Sequence, residues 1–494
     1  MKSTRASKPR PAETAVAPAE SRERAAAWRR YVLASAGLLI PCFWQSRLQA
    51  GDLGSHIYNA WLAELIRHGQ APGLSIVPQT TNVLFDFLLS GLFGTVGSAA
   101  AQRIAVSLAV LVFVWGAFAF VAVTARREWS LLPVIAMLAY GWVFHMGFFN
   151  FYLSLGLCFW ALAIGWKLAP RGLAAAALLL VVAYVAHGMP VAWAAAVFGY
   201  RWLARRLPAK RGQIIITAVV AICALHIAMS ATMMTRWTYW QFKRLTGVDQ
   251  AWVFDDKYWV TGTGLLLIWI LLLYEAIRQN GARRLAGGEL FPVAALTAAG
   301  IFLLPSWAWL PGYHHALVFI SERMSLTMGI LFAALSATAQ PRGWHRWMIG
   351  VLAAVFFVFL FLDERALNGF EDQTRDRLAQ LPAMARVVSN ADADLRVNAL
   401  THIIDRECIG RCYSYANYEP SSGQFRIRVT GPTAIVAPTD KDSSRMQNGG
   451  YAVKERDLPL YRLAAAGDGS LAVESMAVGE MIGVSRWNGL WELP

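Results

Sequence analysis

Long runs of apolar residues recur along most of the chain and constrain its fold more than any other feature. Runs of spanning length lie at 31–48, 82–98, 103–124, 129–146, 147–167, 172–199, 213–234, 260–278, 289–309, 316–338 and 346–363. A transmembrane helix needs about 20 consecutive, mostly apolar residues. The pattern therefore predicts a polytopic α-helical membrane protein with about 11 transmembrane helices.

The distribution of charge predicts the orientation of these helices. Lys and Arg number 45 against 31 Asp and Glu among 494 residues, and many basic residues lie in the short connections 201–211, 278–284 and 342–346. Cytoplasmic loops carry such an excess of Lys and Arg, so no nucleic-acid partner is needed to explain it. We expect an integral protein of the inner (cytoplasmic) membrane of a bacterium, with its N-terminus in the cytoplasm.

In this topology four segments lie on the extracytoplasmic side, namely 49–81, 235–259, 310–315 and the chain after Asp363. Two basic pairs conflict with it, because Arg126-Arg127 and Lys167 with Arg171 fall on that same side. A re-entrant element at 82–98 would move both pairs to the cytoplasm. The loop 201–211 would then stay cytoplasmic only if His187-Gly188-Met189-Pro190 broke its helix into a hairpin. The first arrangement violates fewer charges and is the one predicted.

Composition divides the chain into three parts. Residues 1–30 mix Lys and Arg with Ala, Pro, Ser and Glu, which predicts a disordered basic cytoplasmic arm. Residues 31–363 form the transmembrane domain. Residues 364–494 alternate apolar and polar positions and predict a soluble, extracytoplasmic, mixed α/β domain. Within it we expect a helix at 370–388 and strands at 395–404 and 424–429.

Two of the five cysteines, Cys408 and Cys412, lie close together in this polar C-terminal part. The pair is a disulfide candidate if the domain faces an oxidising compartment. A zinc site is the alternative, for which His402 is the one additional ligand nearby. We find no P-loop, nucleophile elbow or dinucleotide fingerprint in this part of the chain.

The first candidate functional residues follow the first apolar run directly. If Leu53 to His68 is helical, Asp52, His56 and Asn59 share one face of an amphipathic helix able to lie on the bilayer. Glu64 lies on the same helix. The carboxylate and the imidazole would then sit where a membrane helix meets water.

A second group of candidates lies in later connections. Arg236 and Lys243 follow the seventh apolar run among Trp and Tyr residues, which are otherwise typical of an interfacial belt. His314 lies in a later loop, and Glu322 with Arg323 lies inside an apolar run. A charge there is costly, so Arg323 should pair with Glu322, with another acid or with a substrate phosphate.

A first span, an external loop that opens with Asp52 and a helix running to Arg67, many further spans and an external C-terminal domain resemble the GT-C class of integral-membrane glycosyltransferases. Members of that class transfer a sugar from a polyprenyl-phosphate or polyprenyl-diphosphate donor to an acceptor on the outer side. The resemblance implies that the first external loop carries the catalytic acid. Asp52 matches it, but no second acid follows within two residues, so a divalent metal is possible rather than required.

The resemblance implies a function for each candidate. Asp52 would be the general base that activates the acceptor, assisted by His56. The other candidates would bind substrate, with the cations stabilising the departing lipid phosphate. The expected partners are a polyprenyl-phosphate-linked sugar, the lipid bilayer and an acceptor glycan, lipid or protein. A transporter or flippase-like protein and a noncatalytic, degenerate GT-C scaffold are the alternatives.

Overall fold

A computed structural model describes residues 16–312, 316–392, 395–465, 470–483 and 485–486. Within these residues, four helical segments are long and apolar enough to cross a membrane, namely Leu84–Thr124, Pro208–Thr232, Asp256–Asn280 and Gly343–Leu378. Four shorter apolar helical segments accompany them, at Trp129–His145, Phe149–Gly165, Pro170–Ala186 and Leu290–Leu303. The chain is therefore mainly helical, with the character of a membrane protein and a smaller C-terminal region that contains strands.

The α-helices are α1 Val16–Leu39, α2 Leu53–Arg67, α3 Leu84–Thr124, α4 Leu132–Ala139, α5 Trp142–His145, α6 Phe149–Gly165, α7 Pro170–Ala186, α8 Gly188–Arg206, α9 Arg211–Thr232, α10 Trp259–Asn280, α11 Ala282–Gly287, α12 Leu290–Leu303, α13 Ile320–Ser336, α14 Gly343–Leu378, α15 Ile403–Cys408, α16 Tyr418–Ser422 and α17 Asp440–Asn448. The strands are β1 Leu74–Ile76, β2 Met234–Arg236, β3 Trp307–Trp309, β4 Ala385–Ser389, β5 Ala391–Asp392, β6 Cys412–Ser414, β7 Ile427–Val429, β8 Tyr451–Ala452, β9 Leu460–Ala465, β10 Leu471–Ser475, β11 Met481–Ile482 and β12 Ser485–Arg486. The helix α1 begins well inside the arm that was predicted to be disordered.

Helix α3 contains both of the predicted spans 82–98 and 103–124, separated by a break at Gly97, where φ is 77°. Glycine adopts this backbone conformation without the steric cost of a Cβ atom. The guanidinium of Arg103 donates to the carbonyl of Ser46 over 2.9 Å, close to Asp52 in the chain. We call this end of the helix bundle the site end. The segment 82–98 stays at the site end, and only the second part of α3 runs to the opposite end.

The predicted span 172–199 is also divided, because His187 is extended (φ −167°, ψ 130°) between α7 and α8. Its Nδ1 accepts a hydrogen bond from the backbone N–H of Met189 and so caps α8. At the far end of α8, Arg205 donates to the carbonyl of Lys167 over 3.0 Å. Lys167 therefore lies with the basic loop 201–211, at the end opposite to Asp52.

Arg126 shares that opposite end, since its Nε donates to the carbonyl of Ala337, just after α13, over 3.0 Å. The predicted placement of Arg126 and Lys167 on the same side as Asp52 is therefore wrong. The breaks at Gly97 and His187 are the reason. Each break changes how many times the chain crosses the helix bundle between Asp52 and these basic residues.

The C-terminal region does not begin at residue 364, because α14 continues through that position to Leu378. Strand β1, from the segment 49–81, pairs antiparallel with β7. A four-stranded sheet of order β10-β9-β4-β6 forms the centre of the region, and the predicted strand at 395–404 is instead a loop leading into α15. The first external segment and the C-terminal region thus fold together at the site end.

Cys408, at the end of α15, and Cys412, at the start of β6, form a disulfide. Helix α2 has nearly the predicted bounds, but its residues from Leu53 to Ala63 are mostly buried. It packs between α3 and α15. The expectation that α2 lies on the bilayer surface is therefore wrong, because the C-terminal region covers its polar side.

Candidate functional site

Asp52 is the residue immediately before α2, and the turn that ends α5 fixes its backbone. The N–H of Gly51 donates to the carbonyl of His145 over 2.8 Å, and the N–H of Asp52 donates to the carbonyl of Met146 over 3.1 Å. Gly147 follows with φ 84°, and a Cβ atom there would lie 2.4 Å from the Asp52 nitrogen. Only glycine allows this close approach of the two chain segments.

Asp52, His56 and Arg323 line one cavity of about 890 Å³. The N-terminal half of α2 and the connections around Phe148 and His187 form part of its wall. The first turn of α13 brings Arg323, and the C-terminal region supplies the remaining side. Three of the predicted site residues, from segments far apart in the sequence, therefore share one space.

His56 is paired with an acid that the sequence analysis did not select. Its Nδ1 lies 2.7 Å from Oδ1 of Asp86 in the first turn of α3, and the other oxygen of Asp86 accepts a hydrogen bond from Asn150 over 2.8 Å. Burial alone would disfavour the charged imidazole, but the charge and hydrogen bond of Asp86 outweigh it and raise the pKa of His56 to about 9. His56 is therefore a cation at neutral pH.

A second imidazole, His402, faces Asp52 from the C-terminal region. Its Nε2 lies 3.9 Å from Oδ1 of Asp52, and its Nδ1 lies 2.9 Å from Oδ2 of Asp405. The hydroxyl of Ser414 donates to the other oxygen of Asp405 over 2.6 Å. Burial opposes protonation of His402, yet Asp405 raises its pKa. The Asp52 side chain is 22% exposed, so its carboxylate remains open to the cavity.

Arg323 is a partly buried cation that lines the cavity. Among the described residues it forms no salt bridge, and its buried Nε has no hydrogen-bond partner. Its guanidinium lies over the ring of Phe148, 3.7 Å from the ring centre. The neighbouring Glu322 pairs instead with Arg244 over 2.7 Å, so the predicted pairing of Arg323 with Glu322 does not form. The positive charge of Arg323 remains available to a ligand.

The carboxyl group of Glu419 also lines the cavity and is buried. The Ser55 hydroxyl donates to it over 3.3 Å. Burial and the nearby charge of Asp86 raise the pKa of Glu419 to about 7. Glu419 can therefore gain or lose a proton near neutral pH.

Two predicted residues of α2 do not face the cavity. Asn59 is 1% exposed, donates to the Ser55 hydroxyl over 3.1 Å and accepts from the amide of Asn417 over 2.8 Å. Glu64 accepts a hydrogen bond from Arg67 at the surface over 2.8 Å. Asn59 therefore joins α2 to the C-terminal region, two helical turns away from Asp52 along the same face.

The predicted cations Arg236 and Lys243 lie outside the cavity lining as well. Arg236 is exposed over the ring of Trp307, and Lys243 is exposed over the ring of Trp240. Glu322 is likewise not among the lining residues, and His314 lies outside the described residues. Arg236 is the partner of Trp307 in the ribbon of β2 and β3, and Trp307 lines the cavity.

The sequence analysis missed Asp86, Tyr418 and Glu419 and considered His402 only as a metal ligand. Asp86 carried a usable signal, since it is the one charged residue in the run 82–98. The other three come from the C-terminal region, and no local pattern predicts that it folds over α2. Among the described residues, no group of three or more His, Cys, Asp or Glu is placed to hold a metal ion.

An apolar groove of about 820 Å³ lies beside the cavity, between α8, α9, α12 and α13. Ser321 and Met324 line the groove, while Arg323, on the same turn of α13, lines the cavity. Likewise, at the start of α8, Met189 lines the groove whereas His187 lines the cavity. The ends of α8 and α13 therefore contribute residues to the walls of both the groove and the cavity.

This arrangement suits an amphiphilic ligand with an anionic head. A carboxylate such as that of Asp52 can accept a proton from a hydroxyl group. A guanidinium and an imidazolium, here Arg323 and His56, can donate charge-assisted hydrogen bonds to a phosphate. Comparisons with protein-family models, with curated protein sequences and with solved structures gave no match to this chain.

Proposed function

We propose that this protein is a membrane glycosyltransferase that moves a sugar from a polyprenyl-phosphate-type lipid donor to an extracytoplasmic acceptor. The observation that carries the proposal is that Asp52 and Arg323 line one cavity, while the neighbours of Arg323 on α13 line an apolar groove. A long isoprenoid chain suits a groove lined by apolar side chains. The phosphate then reaches the unpaired guanidinium without leaving the protein.

In the proposed reaction Asp52 is the general base. Its carboxylate takes the proton of the acceptor hydroxyl while the hydroxyl oxygen forms a bond to the anomeric carbon of the sugar. The bond between that carbon and the phosphate oxygen breaks, and the lipid phosphate leaves with the electron pair. Arg323 and protonated His56 stabilise the negative charge that develops on the phosphate. The products are the glycosylated acceptor, the lipid phosphate and protonated Asp52.

The site end is extracytoplasmic in this proposal. The proposal takes eleven helical segments as the passages between the two ends, namely α1, the second part of α3, α4 with α5, α6, α7, α8, α9, α10, α12, α13 and α14. The opposite end collects Arg126, Lys167 and the loop 201–211, as the cytoplasmic side of a bacterial inner membrane would. The two basic pairs that conflicted with the predicted topology, Arg126-Arg127 and Lys167 with Arg171, then agree with the positive-inside rule.

The direct test is transfer by purified protein in proteoliposomes, with radiolabelled polyprenyl-phosphate hexose and pentose donors and a total envelope extract as acceptor. Asp52→Asn keeps the size of the side chain and removes the base, so transfer should fall by about 100-fold or more. Glu64→Gln makes the same chemical change on the same helix outside the cavity and should leave transfer unchanged. Unchanged transfer in Asp52→Asn would favour a protein without this catalytic role.

A further inference from the structure

One side of the cavity is built mainly from hydroxyl and carboxamide groups of the C-terminal region, together with one carboxylate. We call it the polar wall and define it by five lining residues, Asn398, Thr401, Asp440, Ser444 and Asn448. Four of the five carry a hydroxyl or a carboxamide, and each of these groups can both donate and accept hydrogen bonds. Such groups suit a ligand that presents many hydroxyls.

Much of this hydrogen-bonding capacity is unused. The side chains of Asn398, Thr401 and Asp440 form no hydrogen bond with any described residue. The carboxamide of Asn448 reaches only Ser444 on its own helix, over 3.3 Å. Side chains that hold the fold together, such as the buried Asn59, are satisfied instead. The polar wall therefore presents free donors and acceptors to the cavity.

The charge of this side contrasts with that of the side that carries Arg323. From 389 to 448, the described lining residues include no Lys or Arg, and their acidic members are Glu419 and Asp440. An anionic ligand would meet no Lys or Arg among these lining residues and would be repelled by Asp440. The ring of Tyr418, packed edge-on against Phe425 at 5.5 Å, adds an apolar surface to the same side. A neutral ligand with both hydroxyls and C–H faces matches this combination.

The polar wall is also next to Asp52. The carbonyl oxygen of Asn398 lies where a Cβ atom on Gly51 would be 3.0 Å away, and Thr401 precedes His402, which faces Asp52. A ligand on the polar wall would thus lie close enough to present a hydroxyl to the carboxylate of Asp52.

We infer that the polar wall binds a neutral carbohydrate, which is the acceptor of the transfer. This inference rests on the proposed function, because it takes Asp52 as the base and the Arg323 side as the donor site. Among the acceptors that the reaction allows, it selects a glycan without acidic groups over an acidic glycan or a peptide.

The test is saturation-transfer difference NMR on the full-length protein in detergent. The probes are neutral glucose and mannose oligosaccharides, an oligouronate of matched length and a Ser/Gly peptide. We expect signals from the neutral oligosaccharides alone. In the double variant Asn398→Leu/Thr401→Val, affinity should fall about 25-fold, since each lost hydrogen bond weakens binding about fivefold. Gln380→Leu, which removes an exposed carboxamide outside the cavity, should bind as the wild type does.

Three results would overturn the inference, namely no binding of neutral oligosaccharides, stronger binding of the oligouronate or the peptide, and equal binding by a folded double variant. If the double variant does not fold, Thr401→Val alone replaces it, with an expected fivefold loss at this exposed position. Binding of undecaprenyl phosphate to the wild type, followed by native mass spectrometry, tests the donor site separately. Sugar binding without lipid binding would refute the proposed function, and lipid binding without sugar binding would refute the polar wall.

Discussion

The pairing of His56 with Asp86 links a cation of the cavity to the stability of the protein. The folded-state pKa of His56 is about 9 against 6.5 for a free imidazole. Protonated His56 binds Asp86 only in the folded state and so raises the free energy of unfolding. This contribution is fully present below pH 6.5 and is lost as the pH rises through about 9. The shift corresponds to a contribution on the order of 3 kcal/mol for this buried pair.

We therefore predict that Asp86→Asn unfolds at a lower temperature than the wild type near pH 6.5, and that the difference shrinks toward pH 9. Thermal unfolding followed by tryptophan fluorescence in detergent measures both proteins across this range. Asp376→Asn is the control, because that carboxylate is 74% exposed. A constant difference between wild type and Asp86→Asn at every pH would contradict the prediction.

Arg323 should control the binding of the anionic lipid head. Replacing it by Gln removes the charge that has no acidic partner in the described chain, and a charge-assisted hydrogen bond contributes about 1.5 to 3 kcal/mol. We expect undecaprenyl phosphate to bind about 10- to 100-fold more weakly to Arg323→Gln, measured by native mass spectrometry. Arg236→Gln is the matched control, because Arg236 lies outside the cavity. Equal weakening by both variants would point to a general effect of surface charge.

The residues that could be predicted from the sequence are those whose environment is visible locally. Asp52 and His56 stand directly after an apolar run, and Arg323 stands inside one. Asp86 also stands inside an apolar run, but its pairing with His56 is not visible locally, and His402 is brought in by pairing across the fold. Asn59 was wrongly predicted to bind substrate. Helical periodicity places it on the face of Asp52 and His56 but does not show which part of the chain packs against that face.

At the scale of elements, the turn after α5 sets the position of the catalytic candidate. Gly147→Ala should place a methyl group 2.4 Å from the backbone nitrogen of Asp52, which forces the two segments apart. A left-handed backbone also costs a non-glycine residue about 1 to 2 kcal/mol. We expect lower thermal stability together with at least a tenfold loss of transfer.

Gly69→Ala measures the cost of the left-handed backbone without a steric clash. Gly69 has φ 69° but no atom within 4 Å of an added Cβ, so its variant has the backbone cost without the clash. We expect a similar backbone penalty in thermal unfolding and full transfer. If Gly69→Ala loses as much transfer as Gly147→Ala, the contact with Asp52 is not the cause.

The hydrogen bond between Asn417, directly before α16, and Asn59 of α2 gives a second prediction at the scale of elements. Truncating Asn59 to Ala leaves the buried amide of Asn417 without its acceptor, and an unsatisfied buried polar group costs about 1 to 3 kcal/mol. Thermal unfolding of Asn59→Ala, Asn417→Ala and the double variant forms a double-mutant cycle. We expect the double variant to be less destabilised than the sum of the single variants. Strict additivity would mean that the two amides do not interact.

The helices themselves could largely be predicted from apolar periodicity, but their interruptions could not. Gly97 and His187 each lie inside a continuous apolar run, and the composition of such a run is unchanged whether it forms one helix or two. The basic residues Arg126 and Lys167 did carry the missing information, because they conflicted with the predicted topology. Their position together with the loop 201–211 resolves that conflict.

At the scale of the whole molecule, the site exists because membrane helices and C-terminal region share one structure. Helix α14 continues from the bundle to Leu378, β1 pairs with β7, and one buried apolar cluster contains both Phe113 of α3 and Leu463 of β9. The cavity lies between these parts, so neither part alone would form it. A boundary at residue 364 was predicted from composition, which changes there although the helix does not.

This architecture predicts which basic residues face the cytoplasm. Arg171 begins α7 at the end opposite to Asp52, whereas Ser475 ends β10 at the site end, and both are exposed. In a background with Cys223→Ser, a membrane-impermeant maleimide should label Ser475→Cys in intact cells. It should label Arg171→Cys only after the membrane is permeabilised. The other free cysteines, Cys42 and Cys158, are buried and should not react.

The Arg171 position decides between the two topologies, because the simple alternation of eleven apolar runs places it outside and the broken helices place it inside. Labelling of Arg171→Cys in intact cells would restore the simple alternation. The walls of the cavity would then no longer all lie on one side of the membrane, since α6 and His187, which stand before and after Arg171 in the chain, both line it. Protection of Arg171→Cys together with labelling of Ser475→Cys would place Asp52, Arg323 and the polar wall on the extracytoplasmic side, where the proposed acceptor must be reached.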